Sequence, residues 1–549
     1  MRKVLLLLLI VAAGCSKNSS RSTTDFPRFP STFAPHQPSP WKEHLQRGKE
    51  LLGDKKYDQA IVELNKAVAI NPNAVEALEY LAKARLEQKQ ADLLIVELTK
   101  ALEQNPTEPS LFFYRGEAYR IRGLSDQAIT DFNQAIALKL GNVQAYLFRG
   151  LSYFDKKDYV KAIADLTQVI DNKTPIPDVY LWRGECYAKL GETAKALDDF
   201  NVALTLDPKS VPVLKQRGDT YLDQKDFAAA IADYTRALEP EPGQVPLLLN
   251  RAMAFLLSKQ YVKAVADADQ AITLQDKNAA AYNIRGWAHF GLRRFDKAVG
   301  DFSRAIELEP ANAFHYGDRS RCLAAMHDYD KALLDCDKAI ELQPKEATFY
   351  YDRGQVLLAK RDANAALADF SKAIELDRSS YTAWLGRGQA LRQLHRQEAD
   401  VALLTAIQLC TAEIAKHSND DVAHYFRGQA ERLAGLYGDA IADLERAVQL
   451  DSAGHFAYRE LAWIQATCPK GRFRNGFKAL LNATKACELT QWNDAEYLDT
   501  LAAAYAETGQ FDEAVRWARE ALKLAWPEFR PEVAMRWELY RGKMPFRSY

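Results

Sequence analysis

Cysteine, methionine and histidine are scarce in this sequence, at seven, five and nine of 549 residues. Neither charge prevails: 72 basic side chains face 73 acidic ones, a formal net charge of −1. Each shortage excludes a class of chemistry. With no basic stripe along the chain, nucleic-acid binding driven by counterion release is disfavoured. The histidines are scattered, and His417 and His424, seven apart, flank a break between two helical units, so no metal site is expected. There is no Walker-type phosphate loop, no HExxH, no paired CxxC and no GxSxG, so neither a cofactor nor a catalytic centre is expected and the chain reads as a non-enzyme. Strand-forming runs are few, whereas 48% hydrophobic and 26% charged residues suit an all-α array.

What the chain does have is a period. Arginine recurs every 34 residues at nine consecutive steps: Arg115, Arg149, Arg183, Arg217, Arg251, Arg285, Arg319, Arg353 and Arg387. Glycine follows it in most copies, as in Gly116, Gly150, Gly184 and Gly218. Such a period marks a solenoid, in which each helix pair buries its apolar face only against its neighbours. With Arg-Gly as positions 7 and 8, units start at residues 41, 75, 109, 143, 177, 211, 245, 279, 313, 347, 381, 421, 455 and 495. Alanine holds position 20 (Ala128, Ala162, Ala196, Ala230) and position 27 (Ala135, Ala203, Ala237, Ala271). Small residues at 8, 20 and 27 let two antiparallel helices approach closely, and large ones at 4, 11 and 24 (Tyr180, Tyr187, Phe200) fill the space between them. Proline near position 32, as at Pro72, Pro106, Pro208 and Pro310, stops the second helix.

These positions together resemble the tetratricopeptide repeat (TPR). The resemblance implies an all-α solenoid of about fourteen helix-turn-helix repeats over 41–528, wound as a right-handed superhelix. One further helix at Pro531–Tyr540, within 529–549, would cap the last apolar face. Repeat 11 is irregular: Asp400 and Ile407 stand where alanines belong, and about six extra residues fall near 415–420. Repeat 13 carries an inserted loop, Cys468–Gly476. In TPR proteins positions 2, 5, 9, 12 and 13 of the first helix line the concave face. Carried onto repeats 4 to 8 they include Leu147, Leu151, Phe154, Leu181, Leu222, Leu249, Met253, Leu256, Asn283, Trp287 and Phe290, the composition of an interaction groove. The Lys/Asn/Lys/Arg carboxylate clamp of chaperone-associated TPR domains is not reproduced, so that role is not implied.

The N-terminus is of another kind. Arg2-Lys3, an apolar run Val4–Val11 and then Ala12-Ala13-Gly14-Cys15 read as a signal peptide, the run being too short to span a bilayer. Small residues directly before cysteine resemble the lipobox of bacterial lipoproteins. The resemblance implies removal of 1–14, lipidation of Cys15 with palmitate-type acyl chains, and attachment to the bacterial cell envelope. Ser16 after the cysteine implies the outer membrane, facing the periplasm. Residues 15–40, rich in Ser, Thr and Pro, read as a disordered tether.

The arginine row has a matching acid at position 23: Asp131, Asp165, Asp199, Asp233, Asp267, Asp301, Asp335, Asp369 and Asp443. Charge leaves both positions together in repeats 13 and 14 (Leu461, Leu501; Asn482, Trp517), which favours a structural ladder over an anion-binding row. The last ~95 residues, with Leu461–Pro469, Ala483–Thr490, Tyr497–Ala506 and Leu539–Pro545, resemble the ending of a bacterial group of TPR proteins, a resemblance that implies no chemistry. An oxidising envelope would permit disulfides, for which Cys468 with Cys487, and Cys322 with Cys336, are the candidate pairs. The expected function is a membrane-tethered scaffold binding protein or peptide partners. The alternative is a carbohydrate or cell-wall-polymer binder stacking sugars on Trp287, Trp384 and Trp463.

Overall fold

The computed structural model describes residues 39–138, 143–172 and 175–548. The signal segment, Cys15 and the tether up to residue 38 lie outside the described residues. Among the described residues there are 29 α-helices, one 3-10 turn and no strand. By packing, the chain divides into two compact units, residues 1–250 and 251–549.

Helix starts follow the sequence period. The first helix of every repeat begins within one residue of the start given above, from Pro40–Gly53 to Ala495–Glu507, and the last repeat is followed by the helix Arg530–Arg541. Between the two helices of a repeat the chain reverses through a single left-handed residue. In nine repeats that residue is not glycine: Lys55, Lys89, Lys157 and Lys225 in the first unit and Lys259, Arg293, His327, Arg361 and His395 in the second, with φ between 53 and 66°. The left-handed conformation costs a non-glycine residue about 1 kcal/mol. Backbone bonds offset it: in repeat 4 the Lys157 amide donates to Phe154 O at 2.8 Å and the Asp158 amide to Tyr153 O at 2.9 Å. The next residue then starts the second helix, and where it is aspartate its carboxylate caps the helix, as Asp158, Asp226, Asp328 and Asp362 do.

Packing within a repeat depends on position 8 having no side chain. A Cβ on Gly184 would sit 2.6 Å from the Phe200 ring, and one on Gly218 would sit 2.7 Å from Tyr234. Phe132, Phe200, Tyr234, Phe302 and Phe370 at position 24 are fully buried, as are the alanines flanking them. In these five repeats the inter-helix space is thus one large ring in a cage of small residues.

Repeat 11 departs from expectation in an informative way. Gly388 faces Leu403, fifteen residues on, where Gly184 faces Phe200, sixteen on. The second helix has slipped by one residue, so Ala399 and Ala406, both buried, do the work expected of positions 400 and 407. The surplus residues lengthen that helix, Ala399–Lys416, to 18 residues. In repeat 13 the inserted loop folds back: Phe473 packs 6.0 Å from the Tyr437 ring, and Arg474 donates to Glu507 at 3.0 Å and to Cys468 O at 2.8 Å.

The disulfide expectation is corrected. All six described cysteines are free and buried. Cys468 belongs to the apolar cluster around Leu444 and Ile464, whereas Cys487 belongs to the one around Ala483 and Leu498. Cys322 and Cys336 are likewise in separate clusters. Burial pushes the Cys322, Cys336 and Cys487 thiols up to about 12, so each behaves as a small hydrophobe.

Candidate partner-binding face

The arginine row is the frame on which the helix faces are set. In each of eight of the nine repeats the guanidinium grips the aspartate sixteen residues on, and Arg427 adds a ninth such pair with Asp443. The Nη2–Oδ1 distances are 2.6–2.8 Å, and Nε donates to the same carboxylate. This fork-to-fork geometry is the strong form of the interaction. The remaining nitrogen, Nη1, reaches sixteen residues backwards into the preceding repeat: Arg149 to Asn133 at 2.6 Å, Arg217 to Asn201 at 2.5 Å and Arg319 to Ser303 at 3.0 Å. Each arginine therefore staples two consecutive second helices. The sequence reading found the forward partner and missed the backward one, although a polar residue recurs at position 25. Arg387 is the exception, because the slip in repeat 11 puts Ala402 where the acid belongs. Its Nε is buried without a hydrogen-bond partner, and its head lies 5.4 Å over the Trp384 ring.

In the first unit the first-helix face is less open than expected. Leu147 and Leu181 are buried, because they pack between repeats and are no part of a contact surface. Leu151, Phe154, Leu222 and Leu249 are half-buried. Phe154 meets Trp182 edge-on at 5.3 Å and Tyr159 at 5.7 Å. Ionisable groups that the apolar reading passed over interleave with them. At position 9, where repeat 4 has Leu151, repeats 3, 5 and 6 have Glu117, Glu185 and Asp219. Burial pushes the Glu117 and Glu185 carboxyls up to about 7, against the pull of Arg120 and Lys189 respectively. Asp219 accepts from Lys215 at 2.6 Å, Tyr234 OH at 2.7 Å and Asn250 at 2.9 Å. The face thus alternates apolar ridges with carboxyls.

In the second unit Met253, Leu256, Asn283, Trp287 and Phe290 are half-buried. Trp287 lies 5.4 Å from Phe290 and 5.6 Å from Phe302, and Asn283 donates to Asp318 at 2.7 Å. Further along, the same helix face becomes a chain of ion pairs. Arg321 holds Asp352 at 2.9 Å, and Arg459 bridges Glu460 at 2.8 Å and Glu496 at 2.7 Å. Arg432 Nε is 2.9 Å from Glu460, but the pair is not aligned as a hydrogen bond, and both atoms are buried without one. Arg536 and Asp499 form a fully buried pair at 2.8 Å, and burial pushes the Asp499 carboxyl up to about 6 against that attraction. The three tryptophans on which sugars would stack each carry an arginine of this chain over the ring: Arg321 on Trp287 at 5.8 Å, Arg387 on Trp384 and Arg536 on Trp463, both at 5.4 Å. Those ring faces are already occupied. His424 bonds Asp443 at 3.0 Å while His417 is 3.8 Å from Glu413, so the two histidines serve different carboxylates.

The family comparison agrees with this geometry. The description "Tetratricopeptide repeat" matches residues 115–175, 149–211, 215–283 and 351–414 in one form of the motif, 279–312 in a second and 495–525 in a third. The chain carries tetratricopeptide repeats, and its fold is their all-helical solenoid. Proteins of this kind are in general non-catalytic scaffolds that bind proteins or peptides.

No curated protein matches the sequence significantly. Among solved structures it is similar to a tetratricopeptide repeat protein from Parabacteroides merdae, at 20% identity over 45% of this chain and 98% of that one, with a TM-score of 0.40. It is also similar to Cut9–Hcn1 of the APC/C, at 14% identity over 85% and 96% of the two chains, TM-score 0.37. A third is yeast Tom70, at 17% identity over 92% and 96%, TM-score 0.34.

Proposed function

We propose that the chain is a membrane-tethered scaffold whose first-helix face holds a protein or peptide partner at the bacterial cell envelope, and that it binds without catalysing a reaction. The observation that carries the binding reading is the face of repeats 3 to 6. Half-buried Leu151, Phe154 and Leu222 alternate there with Glu185 and the Lys215–Asp219 pair. Apolar ridges supply contact area and the carboxyls supply register, as partner-binding surfaces require. Tethering rests on the Ala-Ala-Gly-Cys15 sequence. No helix among the described residues is long and apolar enough to cross a membrane, so the lipid at Cys15 would supply the attachment.

The two parts separate experimentally. Changing Leu151 and Leu222 together to Asp should abolish co-purification of the partner captured by the unaltered chain and leave membrane association intact. Changing Cys15 to Ser should release the protein from membranes without affecting capture. A partner retained by the Leu151→Asp/Leu222→Asp chain rules out this face, and a Cys15→Ser chain still in the membrane fraction rules out the lipid anchor.

A further inference from the structure

Four left-handed turn residues of the second unit, spaced 34 apart, point at the same distant part of the chain. Lys259, the turn of repeat 7, places Nζ 2.5 Å from Asp451, at the end of repeat 12, and 3.8 Å from Asp421. Arg293, the turn of repeat 8, holds Asp494 at 2.6 Å, at the end of repeat 13. His327, the turn of repeat 9, stacks on Trp526 at 3.6 Å with the ring planes 14° apart, at the end of repeat 14. Arg361, the turn of repeat 10, pairs with Glu532 on the closing helix and donates to Glu528 O at 3.3 Å. The first three share an offset: the turn of each of repeats 7 to 9 meets the end of the repeat five further on, and Arg361 then reaches the closing helix. A constant offset is what a closed superhelical turn produces.

The seam differs in kind from the joints between consecutive repeats. Those combine buried apolar clusters, such as the one joining Phe113, Phe132 and Phe148, with the arginine staples. The seam is a row of ion pairs on Lys259, Arg293 and Arg361 and one aromatic contact, Trp526, which stacks on His327 and packs against the Leu323–Tyr329 cluster, with a cavity of about 400 Å³ between Arg293, His327, Asn493, Asp494 and Trp526. The Lys259 side chain is 45% exposed and the Arg361 side chain 55%. Point contacts between partly exposed charges contribute little and weaken with salt. An apolar joint is worth far more. The seam is therefore the separable contact of the second unit.

We propose that the second unit is a clasp: the turn tips Lys259, Arg293, His327 and Arg361 latch repeats 7 to 10 onto the ends of repeats 12 to 14 and the closing helix, and unlatching them opens the face enclosed by that turn. The geometry stands independently of what the protein binds. Tyr351 of repeat 10 and Tyr425 of repeat 12 are half-buried, and burial above all raises the Tyr425 phenol, with Tyr351 adding to it.

The test is a distance across the seam in the full chain, with spin labels on non-natural amino acids at exposed Val262 and Ser452. The unaltered chain should give one short distance at low salt. Lys259→Glu with Arg293→Glu should add a longer distance, its population about tenfold above that of the unaltered chain, as two pairs worth a few-fold each would give. Adding Asp451→Lys and Asp494→Lys should restore the single short distance. The unaltered chain in about 1 M salt, where the screening length is about 3 Å, should also lengthen, which keeps the test open if a variant misfolds. A distance unchanged by both charge reversal and salt, at unchanged helix content, overturns the clasp. So does a lengthening that the reciprocal exchange fails to reverse.

Discussion

Replacing Asp233 by Ala removes the acid from one rung of the ladder. Asp233 is buried, and both its oxygens are taken by Arg217, Nε at 2.7 Å and Nη2 at 2.6 Å. Without it the guanidinium keeps only its bond to Asn201 across the repeat boundary. Breaking a buried pair by losing one partner costs about 3–5 kcal/mol. Here the arginine side chain remains 15% exposed and regains some water, so about 2–3 kcal/mol is expected. The Arg217→Met/Asp233→Ala double variant removes the stranded charge as well and should recover most of that loss, since an apolar pair of similar volume is often neutral. Arg387 is the built-in control: having no acid, Arg387→Met should cost under about 0.5 kcal/mol. Solenoid stability is local, so the assay is native-state hydrogen exchange of the helices Val211–Asp223 and Phe227–Leu238. Two results refute the reasoning: a loss below about 0.5 kcal/mol in Asp233→Ala, or a double variant as unstable as the single one.

Three further outcomes are expected. Gly184→Ala, which drives a methyl to 2.6 Å from Phe200, should cost about 1–3 kcal/mol, whereas Gly300→Ala, exposed in the helix Phe295–Leu308 with nothing within 4 Å, should gain about 0.5–1 kcal/mol; urea midpoints compare them. The Glu117 carboxyl is raised from 4.5 to about 7, so the folded state holds its proton more tightly, and its contribution is complete below the unfolded value near 4.5 and is lost as pH rises through 7. Glu117→Gln should therefore stabilise the chain at pH 8 by up to a few kcal/mol and be nearly neutral at pH 4, in denaturation curves run at both. Denaturation in an alkylating agent without reductant should modify Cys322, Cys336, Cys468 and Cys487 alike, and a peptide pair joined through any two of them contradicts their free state.

What the sequence made legible is what repeats locally. Helix starts, the glycine–aromatic cage and the Arg–Asp rungs all lie within one 34-residue period, and each recurrence restates the same packing rule. What it hid is non-periodic or distant. The slip in repeat 11 showed only as two missing alanines, because Ala399 and Ala406 sit one residue out of register. The backward bond from each arginine was masked by the variety of its acceptors, Thr99, Asn133, Ser303 and Asp337. The seam of the second unit joins residues some 190–200 apart, Lys259 with Asp451 and Arg293 with Asp494, for which a one-dimensional pattern has no signal. On the binding face of repeats 4 to 8, reading only the apolar members of position 9 found Leu151, Met253 and Trp287 and passed over Glu185 and Asp219. Leu147 and Leu181 were assigned to the surface because helix position alone does not reveal what the next repeat covers.

The central claim is that partners are held on the first-helix face, and site-specific photo-crosslinking in intact cells tests it most directly. A photoreactive amino acid at Leu151 or Leu222 should yield a discrete crosslinked protein or peptide adduct, and the same group at Val160, 67% exposed on the second helix of repeat 4, should yield none. Adducts from Val160 with none from Leu151 or Leu222 would contradict the account and move the binding surface to the opposite face.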